Sequence, residues 1–559
     1  MVAGNLEIAQ RLSVRRRLAG FILLMMVMLL VLTVSNTLAD PLTGNDAALQ
    51  LYRKGMLPFG LMVRAEWGAN GSVKGAEAAC VNCHRRSGFG TTEGKFVIPP
   101  IAGRYLFRPH GNQPEDIDFR YGAGFIPKHQ PYTDATLANA IRNGIGRDGK
   151  PLNALMPRFV FDDVTMAALI DYLKVLSSDG VLGVTDDTLH FATIITPDAD
   201  PVKRQGMLDV LERFFRDKNE FIRGGFQRMK SDKGIMYRVS RKWQLHVWEL
   251  TGGPDVWEQQ LHARMIAEPV FAIVSGLGGT TWAPIHRFCE REAIPCLLPN
   301  VEIPVNTEND FYTIYFSRGV LLEAELLAYR LRHKYVTPGR RRLVQVFREG
   351  DIGPQASAAL ADALKIAGWQ STSRVLKLSD NAAELAKAVD SVAASDVLVL
   401  WLRPPDLALL PSSPKPGESL FLSGVMAQLE NAPLPPAWRE NALMTYPFDL
   451  PEVRKVRMNF PLGWFKIRNI PVVSERVQAD TYLACQILSE SLGDMLDSFV
   501  RDYLIEQVEA MLSRRLVNGY YPRLGLAPGQ RFASKGGYIV RFAQQGSMQP
   551  IVDGDWIVP

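Results

Sequence analysis

Apolar and polar positions change texture three times along the 559 residues. Residues 18–34 form a nearly unbroken apolar run behind Arg11, Arg15, Arg16 and Arg17, and Ser35-Asn36-Thr37-Leu38-Ala39 follows it. A basic flank, an apolar stretch and a small residue read as a secretory signal over residues 1–39, cut after Ala39. A retained membrane anchor is the other reading of a run this long. Both place the body of the chain across the inner membrane. Residues 40–178 are rich in Gly and Pro and carry short helical patterns. Thr133 caps a predicted helix with Leu137, Ala140 and Ile141 on one face, stopped by Gly144. Asp162 or Asp163 caps another that carries Met166, Leu169, Ile170 and Leu173. Residues 179–187 have no apolar period and read as a polar linker.

From 188 to 559 short apolar runs alternate with amphipathic helices. Predicted strands are Phe191–Thr196, Leu245–Leu250, Val270–Ser275, Phe311–Phe316, Leu343–Phe347 and Val397–Leu402. Predicted helices cover Val256–Ala267, Trp282–Glu292, Val320–Tyr335, Gln355–Ala367 and Ala382–Ala394. Strands separated by single helices imply parallel sheets with right-handed crossovers. Roughly 370 residues exceed one hydrophobic core, so two α/β lobes are expected, the chain reaching the second near Asn306–Asp310. The expected fold class is thus multidomain: an all-α N-terminal domain followed by a two-lobed α/β domain.

Composition narrows the class. A hydrophobic fraction of 47% with 22% charged residues is that of a folded globular chain. The net charge of +5 is spread along the sequence and is too mild to suggest nucleic acid. Of five cysteines, Cys485 stands in an apolar helical stretch and reads as a small buried hydrophobe. Cys289 and Cys296 could bridge in an oxidising compartment, although spacing alone does not establish the approach of their Cα atoms.

The most informative string is Cys80-Val81-Asn82-Cys83-His84. C-x-x-C-H is the pattern of covalent c-type haem attachment: two thiols bond the porphyrin, and the next residue sets an imidazole on the iron. A zinc site would need a further Cys or His pair at ligand spacing, and none is near. A thioredoxin-like motif would open a helix in a βαβ unit, whereas glycines and polar residues surround this one. For the opposite axial position the candidate is Met156, followed by Pro157, which disfavours helix at the preceding residue. His110 and His129 are its rivals and would give a lower-potential haem. Arginines in the loop 85–94 could pair with haem propionates or an acidic redox partner, or face solvent.

The succession of helix, Met-Pro loop and helix resembles the class I cytochrome c family over about Ala47 to Leu176. The resemblance implies one haem c on Cys80 and Cys83, with His84 and Met156 as axial ligands. From about Thr188 to Pro559 the chain resembles type I periplasmic binding proteins of the branched-chain amino-acid group. The strings Pro269-Val270-Phe271-Ala272-Ile273-Val274-Ser275-Gly276-Leu277-Gly278-Gly279-Thr280-Thr281 and Ala293-Ile294-Pro295-Cys296 carry it. That likeness implies a small-molecule ligand, such as an amino acid or small acid, held between the lobes with Gly279, Thr280 and Thr281 at its carboxylate. Simple capping by Thr280 or Thr281 is the plain alternative. Where the family carries an aromatic-Gly pair, this chain reads Gly350-Asp351-Ile352-Gly353-Pro354, which points to an altered or empty cleft.

The combination is similar to proteobacterial proteins that join a cytochrome c module to a substrate-binding module. It implies an exported one-electron carrier in the periplasm with a redox partner protein, a quinoprotein alcohol dehydrogenase being one implied donor. The alternative is a periplasmic solute receptor of an ABC-type transporter with the haem as an accessory redox sensor. His190, His246, His262, His286 and His333 are scattered singly, and neither a phosphate loop nor a dinucleotide motif is present. No enzyme is expected; a haem peroxidase would need an open iron position.

Overall fold

The structure is a computed structural model. It describes residues 44–559 except 68–70, 111–115, 119, 122–125, 179, 224–227, 231–235, 239–240, 306–309, 335–340, 391, 415–418, 497, 515–518, 528 and 543–548. The leader expected at 1–39 lies outside the described residues, and among these no helix is long and apolar enough to cross a membrane. Two compact units divide between Ser178 and Asp179.

In the first unit α1 (Gly44–Lys54) leads to β1 (Arg64–Glu66), β2 (Ser72–Lys74) and the one-turn helix α2 (Val81–His84). A hairpin of β3 (Thr92–Glu93) and β4 (Phe96–Val97) follows, then α3 (Asp134–Asn143), β5 (Arg158–Val160) and α4 (Asp163–Val175). Thr133 and Asp162 cap α3 and α4, and Gly144 ends α3 in the left-handed region at φ 66°, a conformation that suits a residue without Cβ. Leu137, Ile141, Met166, Leu169, Ile170 and Leu173 close one core with Leu51 and Tyr52. The unit is not all-α. An antiparallel sheet in the order β2-β1-β5 registers Ala65 against Phe159, both buried. Three-residue strands are too short for their alternation to stand out in sequence.

In the second unit β6 (Thr188–Ile195), α5 (Pro201–Arg223), β7 (Lys242–Glu249), α6 (Pro254–Ala267), β8 (Ala272–Val274), α7 (Ala283–Arg291), β9 (Cys296–Leu297) and β10 (Thr313–Ile314) build the first lobe. Its sheet is parallel throughout, in the order β10-β9-β8-β6-β7. The second lobe holds α8 (Val320–Lys334), β11 (Arg342–Arg348), α9 (Gly353–Lys365), β12 (Gln370–Leu376), α10 (Ala382–Asp390), β13 (Val397–Trp401), β14 (Ser419–Leu422) and β15 (Ala442–Tyr446). The chain then returns to the first lobe with α11 (Pro451–Ile467), α12 (Glu475–Met495) and α13 (Arg501–Arg514). It ends in the second with β16 (Tyr538–Phe542) and β17 (Pro550–Val552). The second sheet runs β12-β11-β13-β14-β15-β16-β17, the last two strands antiparallel.

Two expected boundaries move. β10 still pairs with β9, so the chain first leaves the lobe after Ile314 and not near Asn306–Asp310. Residues 180–187, expected as a free linker, pack on the first sheet: the Gly183 carbonyl accepts from His190 N at 2.8 Å, and Arg501 donates to the carbonyls of Leu182 and Val270. Three chain segments join the lobes and hydrogen-bond to one another. Tyr315 N donates to Arg531 O at 2.8 Å, Ala533 N to Tyr315 O at 3.0 Å, and Asp449 N to Tyr520 O at 2.8 Å.

Beneath this junction Glu323 of α8 is fully buried and accepts from the Ser423 hydroxyl, from Thr445 Oγ1 at 2.6 Å and from Val425 N at 3.1 Å. Burial pushes its carboxyl up to about 7 against those hydrogen bonds. A carboxyl raised in the folded state favours folding below its unfolded value near 4.5, and that advantage is lost as pH rises through about 7. Raising pH from about 5 to about 8 should therefore cost the wild type up to about 3 kcal/mol through this group. Glu323→Gln, which keeps one acceptor oxygen and cannot ionise, should show a correspondingly flatter pH dependence in urea unfolding. Identical slopes for both proteins would remove Glu323 as the source.

Candidate functional site

In the first unit the chemistry starts from one helical turn. Cys80 is helical at φ −59° and ψ −32°, and His84 N donates to Cys80 O at 2.9 Å. Residues three and four apart on a turn share a face, so Cys80, Cys83 and His84 line the same cavity. Asn82 anchors the turn from its other side, donating to Ala76 O and Glu77 O. The loop after the turn folds back so that His84 Nδ1–H donates to the Pro99 carbonyl at 3.1 Å. A Cβ at Gly90 would lie 2.1 Å from Ile98 O, and only glycine lets the two arms of that loop close. With Nδ1 engaged, Nε2 is the ring nitrogen left for a metal. Burial holds the imidazole neutral, at about 4 despite the Pro99 hydrogen bond.

The cavity measures about 230 Å³ and has chiefly apolar walls, among them Leu51, Ile98, Leu106, Leu137, Ile141, Phe159 and Leu173. Met156 lines it as well, on a turn where its amide donates to Asn153 O and its carbonyl accepts from Arg158. Met166 packs in the core. The rivals of Met156 are engaged elsewhere. His110 has Nδ1 at 2.6 Å from buried Asp116 and Nε2 at 2.8 Å from Tyr105 O. His129 meets Gln130 O and Arg147 through Nδ1, and burial, with Arg147 and His110 beside it, lowers it to about 4. The Cys80 thiol is pushed up to about 12 by burial and stays protonated. Two thiols, one neutral imidazole and one thioether on an apolar cavity can hold a flat apolar cofactor with a soft metal at its centre.

The second site is the cleft between the lobes of the other unit, about 990 Å³. Six carboxylates (Asp198, Asp200, Glu302, Asp351, Glu430, Glu475) and four cations (Lys203, Arg403, Arg454, Arg476) line it among the described residues. Arg403 bridges the lobes, donating to Glu302 at 2.6 Å and to Asp351 at 2.8 and 2.9 Å. Lys203 adds to Glu302 at 3.4 Å. Burial opposes the charge on Glu302, but Arg403, Lys203 and Arg476 outweigh it and hold that carboxyl at about 2.

The expected carboxylate-binding residues are in place but are served by the chain itself. Thr280 donates to Asp198 Oδ2 through its amide at 2.8 Å and its hydroxyl at 2.7 Å, and the Thr196 hydroxyl donates to Oδ1 at 2.6 Å. Gly279 N donates to Thr196 Oγ1 at 2.9 Å. Thr281 accepts from Ala283 N at 3.2 Å, just ahead of α7. Asp198, which sequence reading missed, follows the Thr-Pro turn after β6 and gave no signal beyond a short polar loop. The expected bridge between Cys289 and Cys296 is not formed. Both thiols are fully buried and free, one on α7 and one on β9, and they hydrogen-bond to each other. His286, Glu290 and Asp310 also cluster. There Glu290 accepts the amides of Phe311, Tyr312 and Thr313, and His286 bonds Tyr315 and Asp310, so the group clamps the segment before β10.

No family model and no curated protein matches the chain. Among solved structures it is similar to a fatty acid ABC transporter substrate-binding protein from Thermomonospora curvata, 16% identical over 68% of this chain and 95% of that one, with a TM-score of 0.49. It is also similar to the leucine-binding protein LivK from Thermotoga maritima MSB8, 15% identical over 66% and 99%, TM-score 0.46. A branched-chain amino acid ABC transporter protein from Thermus thermophilus with bound valine is 11% identical over 68% and 98%, TM-score 0.47.

Because His110 hydrogen-bonds a carboxylate with no solvent exposure, His110→Ala should destabilise the first unit by about 1 to 3 kcal/mol, the usual cost of leaving a buried polar group short of a partner. Urea unfolding followed by circular dichroism checks this, and a cost well below about 1 kcal/mol would mean that Asp116 is satisfied without His110.

Proposed function

We propose that this chain is an exported c-type cytochrome that carries single electrons in the periplasm, joined to a type I periplasmic-binding-protein-like unit. The observation that carries the reading is the convergence of Cys80, Cys83, His84 and Met156 on one apolar cavity. A haem bound there supplies a one-electron ferric/ferrous couple. Cys80 and Cys83 are the residues that would hold it covalently, one thioether each, by addition of S–H across a vinyl group. His84 presents Nε2 because Pro99 holds Nδ1. His84 and Met156 are the residues that would hold the iron, and a thioether in place of a second imidazole would raise the potential. The apolar walls exclude water and lower the local dielectric, which tunes the potential further. A periplasmic redox protein, such as a quinoprotein alcohol dehydrogenase, would be the partner.

A second reading has its own support. Two lobes around an open cleft, joined by three hydrogen-bonded segments, have the anatomy of a hinged solute receptor. On that reading the haem serves an accessory redox role beside a transporter.

The matured protein should keep its visible pigment through acid–acetone extraction. Cys80→Ala with Cys83→Ala should release it. Met156→Ala should alter the oxidised absorption spectrum and lower the reduction potential, while His110→Ala and His129→Ala leave both unchanged. A spectrum that responds to His129→Ala and ignores Met156→Ala would replace the thioether by an imidazole.

A further inference from the structure

We propose that Asp198 is a built-in anion that makes the inter-lobe cleft select solutes without a carboxylate. This deepens the solute-receptor reading and rests on it. The argument begins with the donors at the turn after β8. The Thr280 amide and hydroxyl and the Thr196 hydroxyl converge on one carboxylate, with contacts of 2.6 to 2.8 Å. Such a set is an anion cradle: short charge-assisted hydrogen bonds, each stronger than a neutral one. The cradle lies on the wall of the cleft, and Asp198, Gly279 and Thr280 all line it.

The fit is specific at the backbone. A Cβ at Gly279 would stand 2.3 to 2.4 Å from the Asp198 carboxylate, so the side chain sits directly against that peptide. Although burial works against the charge, the hydrogen bonds from Thr196 and Thr280 hold the Asp198 carboxyl below its ordinary range, and it stays ionised at neutral pH. An incoming carboxylate therefore meets a negative charge where its donors would be.

The rest of the wall favours the opposite kind of solute. Carboxylates outnumber cations along the cleft, six to four. Asn300 lines it too and is buried, 6% exposed, with Nδ2 donating to Ser275 and Thr481. The solute class left by the Asp198 charge and this wall is a small polar molecule that bears no carboxylate, an amine first.

The test uses the full-length protein, isothermal titration calorimetry and three probes: L-leucine, 3-methylbutylamine (leucine without its carboxylate) and acetate. Wild type should bind the amine at least about tenfold more tightly than leucine, one charge-assisted contact being worth about that factor. Asp198→Ala and the isosteric Asp198→Asn should each gain about tenfold or more for acetate and leucine. Thermal unfolding identifies a variant that fails to fold, and Asp198→Asn guards against that loss. Wild type that binds leucine as well as the amine would overturn the proposal and leave the receptor reading standing. Folded variants that gain nothing for acetate would overturn it too. Wild type that ignores both amine and leucine would remove the receptor reading and the selectivity with it, whatever the variants take.

Discussion

A polar group taken out of water must find a partner inside the protein, and that requirement shapes both sites of this chain. An unmatched buried donor costs several times what a made hydrogen bond contributes. In the first unit the demand falls on His84, whose Nδ1–H is met by the Pro99 carbonyl. That single bond fixes the ring, the tautomer and the nitrogen left over. In the second unit it falls on the amide and hydroxyl of Thr280, which Asp198 meets from within the same lobe. The same rule therefore prepares one site for a guest and furnishes the other with an internal one.

The two sites differ in what surrounds that bond. Around His84 the walls are chiefly leucine, isoleucine, phenylalanine and proline, with Cys80, Cys83 and Met156 among them. Around Asp198 the walls carry charge, and the charges pair with one another: Arg403 with Glu302 across the lobes and with Asp351 of its own lobe, and Arg454 with Glu430. Desolvation weighs on every one of these ions, and it is offset only while each keeps its partner. Glu302 at about 2 shows the balance falling on the side of the pair. Such a cleft is held partly closed by its own side chains, so a solute that enters must exchange contacts with them.

Much of this was legible in the sequence, and the limit follows physical lines. The six strands and five helices expected from apolar runs all occur, because period-two and period-3.6 burial leave a direct trace. The caps at Thr133 and Asp162 and the stop at Gly144 were readable for the same reason: each is one residue type at one backbone geometry. C-x-x-C-H put Cys80, Cys83 and His84 on one cavity wall because one turn of helix carries all three groups. What stayed hidden was non-local. The small sheet joins Ala65 to Phe159 across more than ninety positions. The strands β14 to β17 gave weaker apolar runs. Asp198 lies far along the chain from Thr280, and nothing in either string declares their meeting. Whether Cys289 and Cys296 bridge could not be read from their spacing; they lie as free buried thiols, one on a helix and one on a strand.

The two sites also differ in how they relate to folding. The cavity of the first unit is about 230 Å³ with chiefly apolar walls, and covering apolar surface is favourable, so an apolar occupant there would add to the core of that unit. The cleft of the second unit differs. Its walls are charged, open to water and paired among themselves, so that unit reaches its folded form on its own side chains and any solute only redistributes bonds that already exist.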